Sequence, residues 1–255
     1  VFITMFHKFS FKYRNKVIDS ETMKSEKLVK LFTYLLMNHQ RSLPSSELAD
    51  MLWYFEDIDN PIGALKNLVY RLRALLKKEF GMSDFITTGK GAYSINPAYT
   101  ISMDVSDFDI CNNDLTNAQG NEAELYQRLI QLYRGKFLSE IKGDHNILSK
   151  SAYYHSIYIG RVIEYANLLE ENKEYAEMER LARNAIEIDD LEEDLYEILI
   201  RALYFQKQYK KAYEVYRSTT ELLYEALGIK PSKSLQDLHN LIKKEIHEEN
   251  VDILE

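Results

Sequence analysis

Apolar positions along the chain change their period, and each change marks a new kind of element. Near the start, Phe9, Phe11 and Tyr13 alternate with polar neighbours, Arg14-Asn15 suits a turn, and Val17-Ile18 can pair back across it. Alternation puts every second side chain on one face, so the first twenty residues predict a small antiparallel sheet. From Ser25 the period becomes helical: Ser25 can cap a helix whose Leu28, Leu31, Phe32, Leu35 and Leu36 form one stripe, ending near Asn38. After the Pro44 break, a short helix is predicted from about Ser46 to Trp53, with Leu48, Leu52 and Trp53 facing inward. Asn60-Pro61 starts a third helix, because Asn caps free amides and Pro is tolerated at the first helical position. Its core face is Leu65, Leu68, Val69, Leu72, Leu75 and Leu76, and Gly81 ends it. Phe85–Thr88 and Ala92–Ile95, joined by Gly89-Lys90-Gly91, predict a hairpin that Pro97 closes.

A small sheet, three helices and a two-stranded hairpin form a winged-helix order over residues 1–100. Beyond it the helical period persists. Aligning Asn172-Lys173-Glu174-Tyr175 with Gln206-Lys207-Gln208-Tyr209 gives a 34-residue offset, the period of a tetratricopeptide helical pair, and brings Leu169 onto Leu203 and Tyr165 onto Leu199. The predicted pairs are Ser156–Glu171 with Tyr175–Ile188, then Glu192–Gln206 with Lys210–Leu227. Met178 and Thr219 stand where the repeat prefers Ala. Helices around Glu122–Tyr133 and Ser149–Tyr158 are expected to make a degenerate earlier unit, and Leu235–His247 to cap the far end. The fold class is therefore mainly α: an N-terminal α+β winged helix with a small antiparallel sheet at 1–100, followed by an all-α tetratricopeptide-like domain at 101–255.

Charge adds a function to this outline. The chain carries a formal net charge of -8, yet residues 1–100 hold 14 Lys and Arg against 10 Asp and Glu, leaving 18 against 30 for the remainder. Within this acidic protein, Asn60 to Lys78 contains Lys66, Arg71, Arg73, Lys77 and Lys78 and no acidic residue. Cations gain affinity for nucleic acid by displacing counterions from its phosphates, so double-stranded DNA is the first candidate partner. A basic helix is ordinarily just a solvated face, but the third helix of a winged helix is the element that enters a major groove. The face opposite the leucines presents Lys66, Asn67, Tyr70, Arg71, Arg73 and Lys77. Arg71 and Lys66 are the candidates for base contacts, since Arg can donate two hydrogen bonds to guanine, and Asn67 could read adenine in a similar way. Arg73 and Lys77 lie nearer the helix end, where Arg73 fits either a phosphate contact or an internal pairing. Lys90 at the hairpin tip fits a minor-groove or phosphate contact, or is an exposed loop lysine.

Local motifs narrow the family. Tyr70-Arg71-Leu72-Arg73-Ala74-Leu75-Leu76 followed by Phe85 to Tyr93 resembles the effector domain of OmpR-type regulators, with an x-R-L-R segment ahead of an I-x-T wing strand. It departs from that pattern where Ala92 stands before Tyr93 in place of the usual glycine. Met103 to Asp109 is similar to the short acidic connector of SARP-type (antibiotic regulatory protein) activators. Leu132-Tyr133-Arg134-Gly135-Lys136-Phe137-Leu138 and Leu227-Gly228-Ile229-Lys230-Pro231-Ser232 are similar to segments of their bacterial transcriptional activator domain. The resemblance implies promoter activation through direct repeats, a homodimer on DNA and contact with RNA polymerase. It also implies that the loop Tyr54–Asp59, with Glu56, Asp57 and Asp59, is a polymerase surface; from the residues alone it reads equally as a solvated capping loop.

Other classes find little support. Cys111 is the only cysteine, so no intrachain disulfide forms, and a reducing cytoplasm fits. No apolar run approaches a membrane span, Val1–Phe6 is too short for a signal core, and the missing initiator Met points to a trimmed chain. The six histidines show no i, i+4 pairing and sit beside no nucleophile motif, so no catalytic residue, metal site or cofactor is expected. Thr88-Gly89-Lys90-Gly91 lacks the spacing of a phosphate-binding loop. The remaining alternative is a protein-interaction adaptor in which the helical repeat works and the winged helix is a scaffold. Repression uses the same contacts as activation.

Overall fold

The computed structural model describes residues 1–54 and 56–252. Strands β1 (Phe2–Thr4), β2 (Ser10–Tyr13) and β3 (Lys16–Asp19) form an antiparallel meander, and β7 (Ser102–Met103) adds parallel to β1, giving the order β3-β2-β1-β7. Ile3 lies opposite Phe11 and Phe11 opposite Ile18, so their register puts these three buried side chains on one face. Arg14 turns the hairpin with φ 53°. The helices follow: α1 (Ser20–Met23), α2 (Glu26–Met37) and α3 (Ser45–Trp53), the last preceded by β4 (Leu43–Pro44). Ser25 caps α2 by accepting from the Leu28 amide, as expected. Beneath the sheet, Phe11 packs against Phe32, Phe80 and Phe85 with ring centroids 5.0, 5.3 and 5.4 Å away. Helix α4 (Pro61–Phe80) and a second sheet of β4, β6 (Ala92–Ile95) and β5 (Ile86–Gly89) complete the winged helix.

The chain divides into two compact units that interleave in sequence: 1–113 with 132–155, and 114–131 with 156–255. The interleaving crosses the division expected at residue 100, and its cause lies in two segments. The stretch expected as an acidic connector is strand β7 running straight into a helix, α5 (Asp104–Thr116). Asp104 is buried there, its carboxylate accepting from the backbone N–H of Met5, Phe6 and Val105 at 2.8–3.0 Å. Farther on, the Leu132–Leu138 segment runs beside the end of β1. Leu138 donates to Met5 O at 2.8 Å, His7 to Lys136 O at 3.1 Å and Ser139 to His7 O at 2.8 Å. Gly135 is required because its φ is 144° and an added Cβ would sit 3.3 Å from His7. Tyr133 and Tyr154 then close over Phe6, with ring centroids 4.9 and 5.3 Å away. Nearby, the Tyr34 hydroxyl donates to Asp144, whose carboxylate also faces buried Lys30 at 3.5 Å.

The second unit contains α6 (Glu122–Leu132), most of α7 (His145–Glu171), α8 (Tyr175–Ile186), α9 (Glu193–Phe205), α10 (Tyr209–Leu227) and α11 (Lys233–Asp252). Successive helices from α8 to α11 pack on one another. The 34-residue repeat is visible down to single bonds. Lys173 and Lys207 both adopt left-handed φ, 61° and 59°. After each, the next amide reaches back to a buried leucine carbonyl: Glu174 to Leu169 and Gln208 to Leu203, both at 2.9 Å or less. Met178 and Thr219 are fully packed despite the repeat's preference for Ala. The expected separate helices at Ser149–Tyr158 and Ser156–Glu171 are one helix, α7, because no proline interrupts the segment and Gly160 does not adopt the left-handed φ that would end it.

Candidate nucleic-acid interface

Helix α4 is set by its ends. Asn60 Oδ1 accepts from the Gly63 amide at 2.8 Å, Pro61 occupies the first turn, and Gly81 closes the helix at φ 75° with its amide bonded to Lys77 O. Between these caps, Leu65, Leu68, Val69, Leu72 and Leu76 are buried, whereas Leu75 is only half-buried. With that stripe inward, geometry forces Lys66, Tyr70, Arg73 and Lys77 into a row at steps of four, three and four residues, flanked by Asn67, Arg71 and Lys78. Lys66, Asn67, Arg71 and Lys77 are exposed, and Tyr70 is 74% exposed, too open for a core ring.

The hairpin of β5 and β6 is fixed beside this helix at two points. From α4, the Arg73 guanidinium donates to Ile86 O through Nε (3.1 Å) and Nη2 (2.8 Å), and to Thr88 Oγ1 at 2.7 Å. From the start of α3, Ser45 donates to Gly91 O through its amide (2.9 Å) and its hydroxyl (2.7 Å). Lys90 therefore stands exposed at the tip of an anchored turn, with φ 51°. Of the two roles left open for Arg73, the geometry is that of internal pairing, with a strand carbonyl instead of an acidic partner. The strut makes a separable prediction. Arg73→Ala is expected to lower folding stability by about 1–3 kcal/mol in urea unfolding while leaving the salt dependence of DNA binding unchanged. Unchanged stability with a salt slope reduced by about 0.9 would instead make Arg73 a phosphate ligand.

Sequence reasoning named the residues of the helix face and the tip but missed the Ser45 and Thr88 anchors. Nothing local signals them, since Ser45 is 46 residues from the carbonyl it holds. In the loop between α3 and α4, Glu56 is paired with Lys27, whose ammonium also lies over the Trp53 ring at 5.5 Å. Asp57 and Asp59 are exposed, and Phe55 lies outside the described residues. Among the described residues, no three His, Cys, Asp or Glu gather as a metal site, and no helix is long and apolar enough to cross a membrane.

Comparison with known proteins places this geometry in a family. The sequence profile of the bacterial transcriptional activator domain (BTAD) matches residues 112–243, more than half of the chain. The chain belongs to the bacterial transcriptional activator domain family. With a winged helix ahead of its BTAD, it has the organisation of a SARP-type transcriptional regulator. Among solved structures, that of Mycobacterium tuberculosis EmbR in complex with a low affinity phosphopeptide aligns with a TM-score of 0.66 at 16% identity. The alignment covers 95% of this chain and 64% of that chain, so this chain spans under two thirds of EmbR's length. At that identity the likeness is one of fold. No curated protein matches in sequence. The BTAD match begins within α5, and the Leu132–Leu138 segment that runs beside β1 falls inside it.

Proposed function

We propose that the protein is a sequence-specific DNA-binding activator of transcription, with the division of labour at residue 100: residues 1–100 read the promoter and residues 101–255 serve activation. The observation that carries the reading is the exposed face of α4, acid-free from Lys66 to Lys78, beside an anchored cationic wing tip. A major groove about 12 Å wide accepts one helix. With α4 in it, Arg71, Lys66 and Asn67 meet base edges, while Tyr70 and Lys77 reach the bounding phosphates and Lys90 the adjacent minor groove. Binding as a homodimer on direct repeats and contact with RNA polymerase through the 54–59 loop extend the reading, supported by the acidic, exposed Asp57 and Asp59.

Electrophoretic mobility shifts on the DNA upstream of the protein's own operon test it. Wild type should form a discrete complex that competitor DNA of unrelated sequence fails to displace, and Lys66→Ala should weaken it. A complex displaced equally by any duplex would leave only nonspecific attraction.

A further inference from the structure

The cationic surface does not stop at the helix face. Helix α4 is 20 residues long, about 30 Å at 1.5 Å per residue, against a groove only about 12 Å wide. A helix that crosses the groove carries its far end over a bounding strand, along with whatever is fixed to that end. What is fixed there is the β2–β3 turn. The Lys16 ammonium donates to Glu79 O at 2.7 Å, meeting a carbonyl that the helix end leaves free. The Tyr13 ring packs edge-on to Phe80 with centroids 6.3 Å apart, and the Arg14 guanidinium lies 5.1 Å over that same tyrosine ring. Arg14, Asn15, Lys16, Lys77, Lys78 and Gly81 thereby line one open recess of about 510 Å³.

Four cations surround this recess and one acid, Glu79, which pairs with Lys78 at 3.2 Å. Among the described residues, neither Arg14 nor Lys77 has an acidic partner, and both are exposed. Beyond the contact with the Tyr13 ring, the fold makes no use of Arg14's charge: the two-residue turn needs only a residue that tolerates φ 53°, which Asn does better. An aromatic support holds that charge in place, and holding a long side chain reduces the entropy lost when it binds.

We infer that the β2–β3 turn and the last turn of α4 form a second contact with DNA, a clamp on the phosphodiester backbone outside the bases that α4 reads. The inference rests on the proposed DNA-binding function and extends its footprint. The clamp is blind to sequence and acts through counterion release, so its signature is a salt slope that depends on duplex length.

The test measures affinity across a salt series for the full chain and for the double variant Arg14→Asn, Lys78→Gln. Two duplexes are used: the operator trimmed to the bases protected by α4 and the wing, and the same operator with extended flanks. Two lost phosphate contacts should reduce the slope on the extended duplex by about 1.8 and leave the trimmed duplex unchanged. Equal slopes for wild type and variant on the extended duplex, with specific binding intact, would overturn the clamp and leave the DNA-reading function standing. Loss of self-association without a change in slope would also overturn it, assigning the patch to an acidic protein surface. Failure of wild type to bind either duplex would overturn both readings. Asn is compatible with the turn at position 14, so the variant's urea midpoint should match wild type.

Discussion

A chain ending at Asn113 is expected to lose the stable fold of its first unit, although every element of the winged helix is retained. The segment 132–155 covers Met5, Phe6 and Phe108, which are at most 2% exposed. Tyr133 and Tyr154 pack on both phenylalanines, and Leu138 bonds the Met5 carbonyl. Uncovering three large apolar side chains costs about 1.5–3 kcal/mol each, roughly 6 kcal/mol together. The Tyr34 hydroxyl and Lys30 lose Asp144 as well. Whole-domain stability is only about 5–15 kcal/mol, so the truncated chain should show a collapsed or absent cooperative transition in urea. A chain ending at His155 should recover most of it. Equal urea midpoints for the two truncations would show that the cover contributes nothing.

The second large effect is expected at Asp104. Its substitution by Ala leaves the amides of Met5, Phe6 and Val105 without their carboxylate, and each unsatisfied buried donor costs about 1–3 kcal/mol. A loss of about 3 kcal/mol or more is therefore expected near pH 4, where the side chain contributes most. The same residue imposes a pH dependence. Burial pushes the Asp104 carboxyl up to about 6, against the downward pull of the three backbone donors and of Arg134. A folded-state value above the unfolded 3.8 means that the fold prefers the protonated form. The contribution is then fully present below about pH 4 and is lost as the pH rises through about 6. Urea unfolding at intervals from pH 4 to pH 7 should show wild type's advantage over Asp104→Ala shrinking across that window. An advantage that grows toward neutrality would reverse the assignment.

These two sites mark the boundary of what local pattern can reveal. Helix α4 was legible because each determinant is local: Asn60-Pro61 at one end, Gly81 at the other, and a leucine stripe between them. The helical repeat was legible for the same reason, since Lys173 and Lys207 recur in identical turns. The Leu132–Leu138 motif was recognised as a family segment, but its return to β1 depends on partners about 130 residues away in sequence. Asp104 reads as one acid among several in Met103–Asp109, and only the fold singles it out by burial. Along α7 the repeat alignment suggested a break that the residues themselves do not encode. On the candidate interface, exposure of Lys66, Asn67, Tyr70, Arg71 and Lys77 follows from helical periodicity alone, and that of Lys90 from the glycine-rich hairpin tip. The engagement of Arg73 with the wing required knowing where Ile86 and Thr88 come to rest.

The central claim, that α4 reads DNA sequence, is tested most directly by footprinting wild type and Arg71→Ala on the DNA upstream of the protein's own operon. Wild type should protect a defined site, and Arg71→Ala should weaken that protection by about 1–3 kcal/mol, roughly 5- to 150-fold, with relaxed preference at one base pair. Protection that is absent, or that is unchanged by Arg71→Ala, would contradict it.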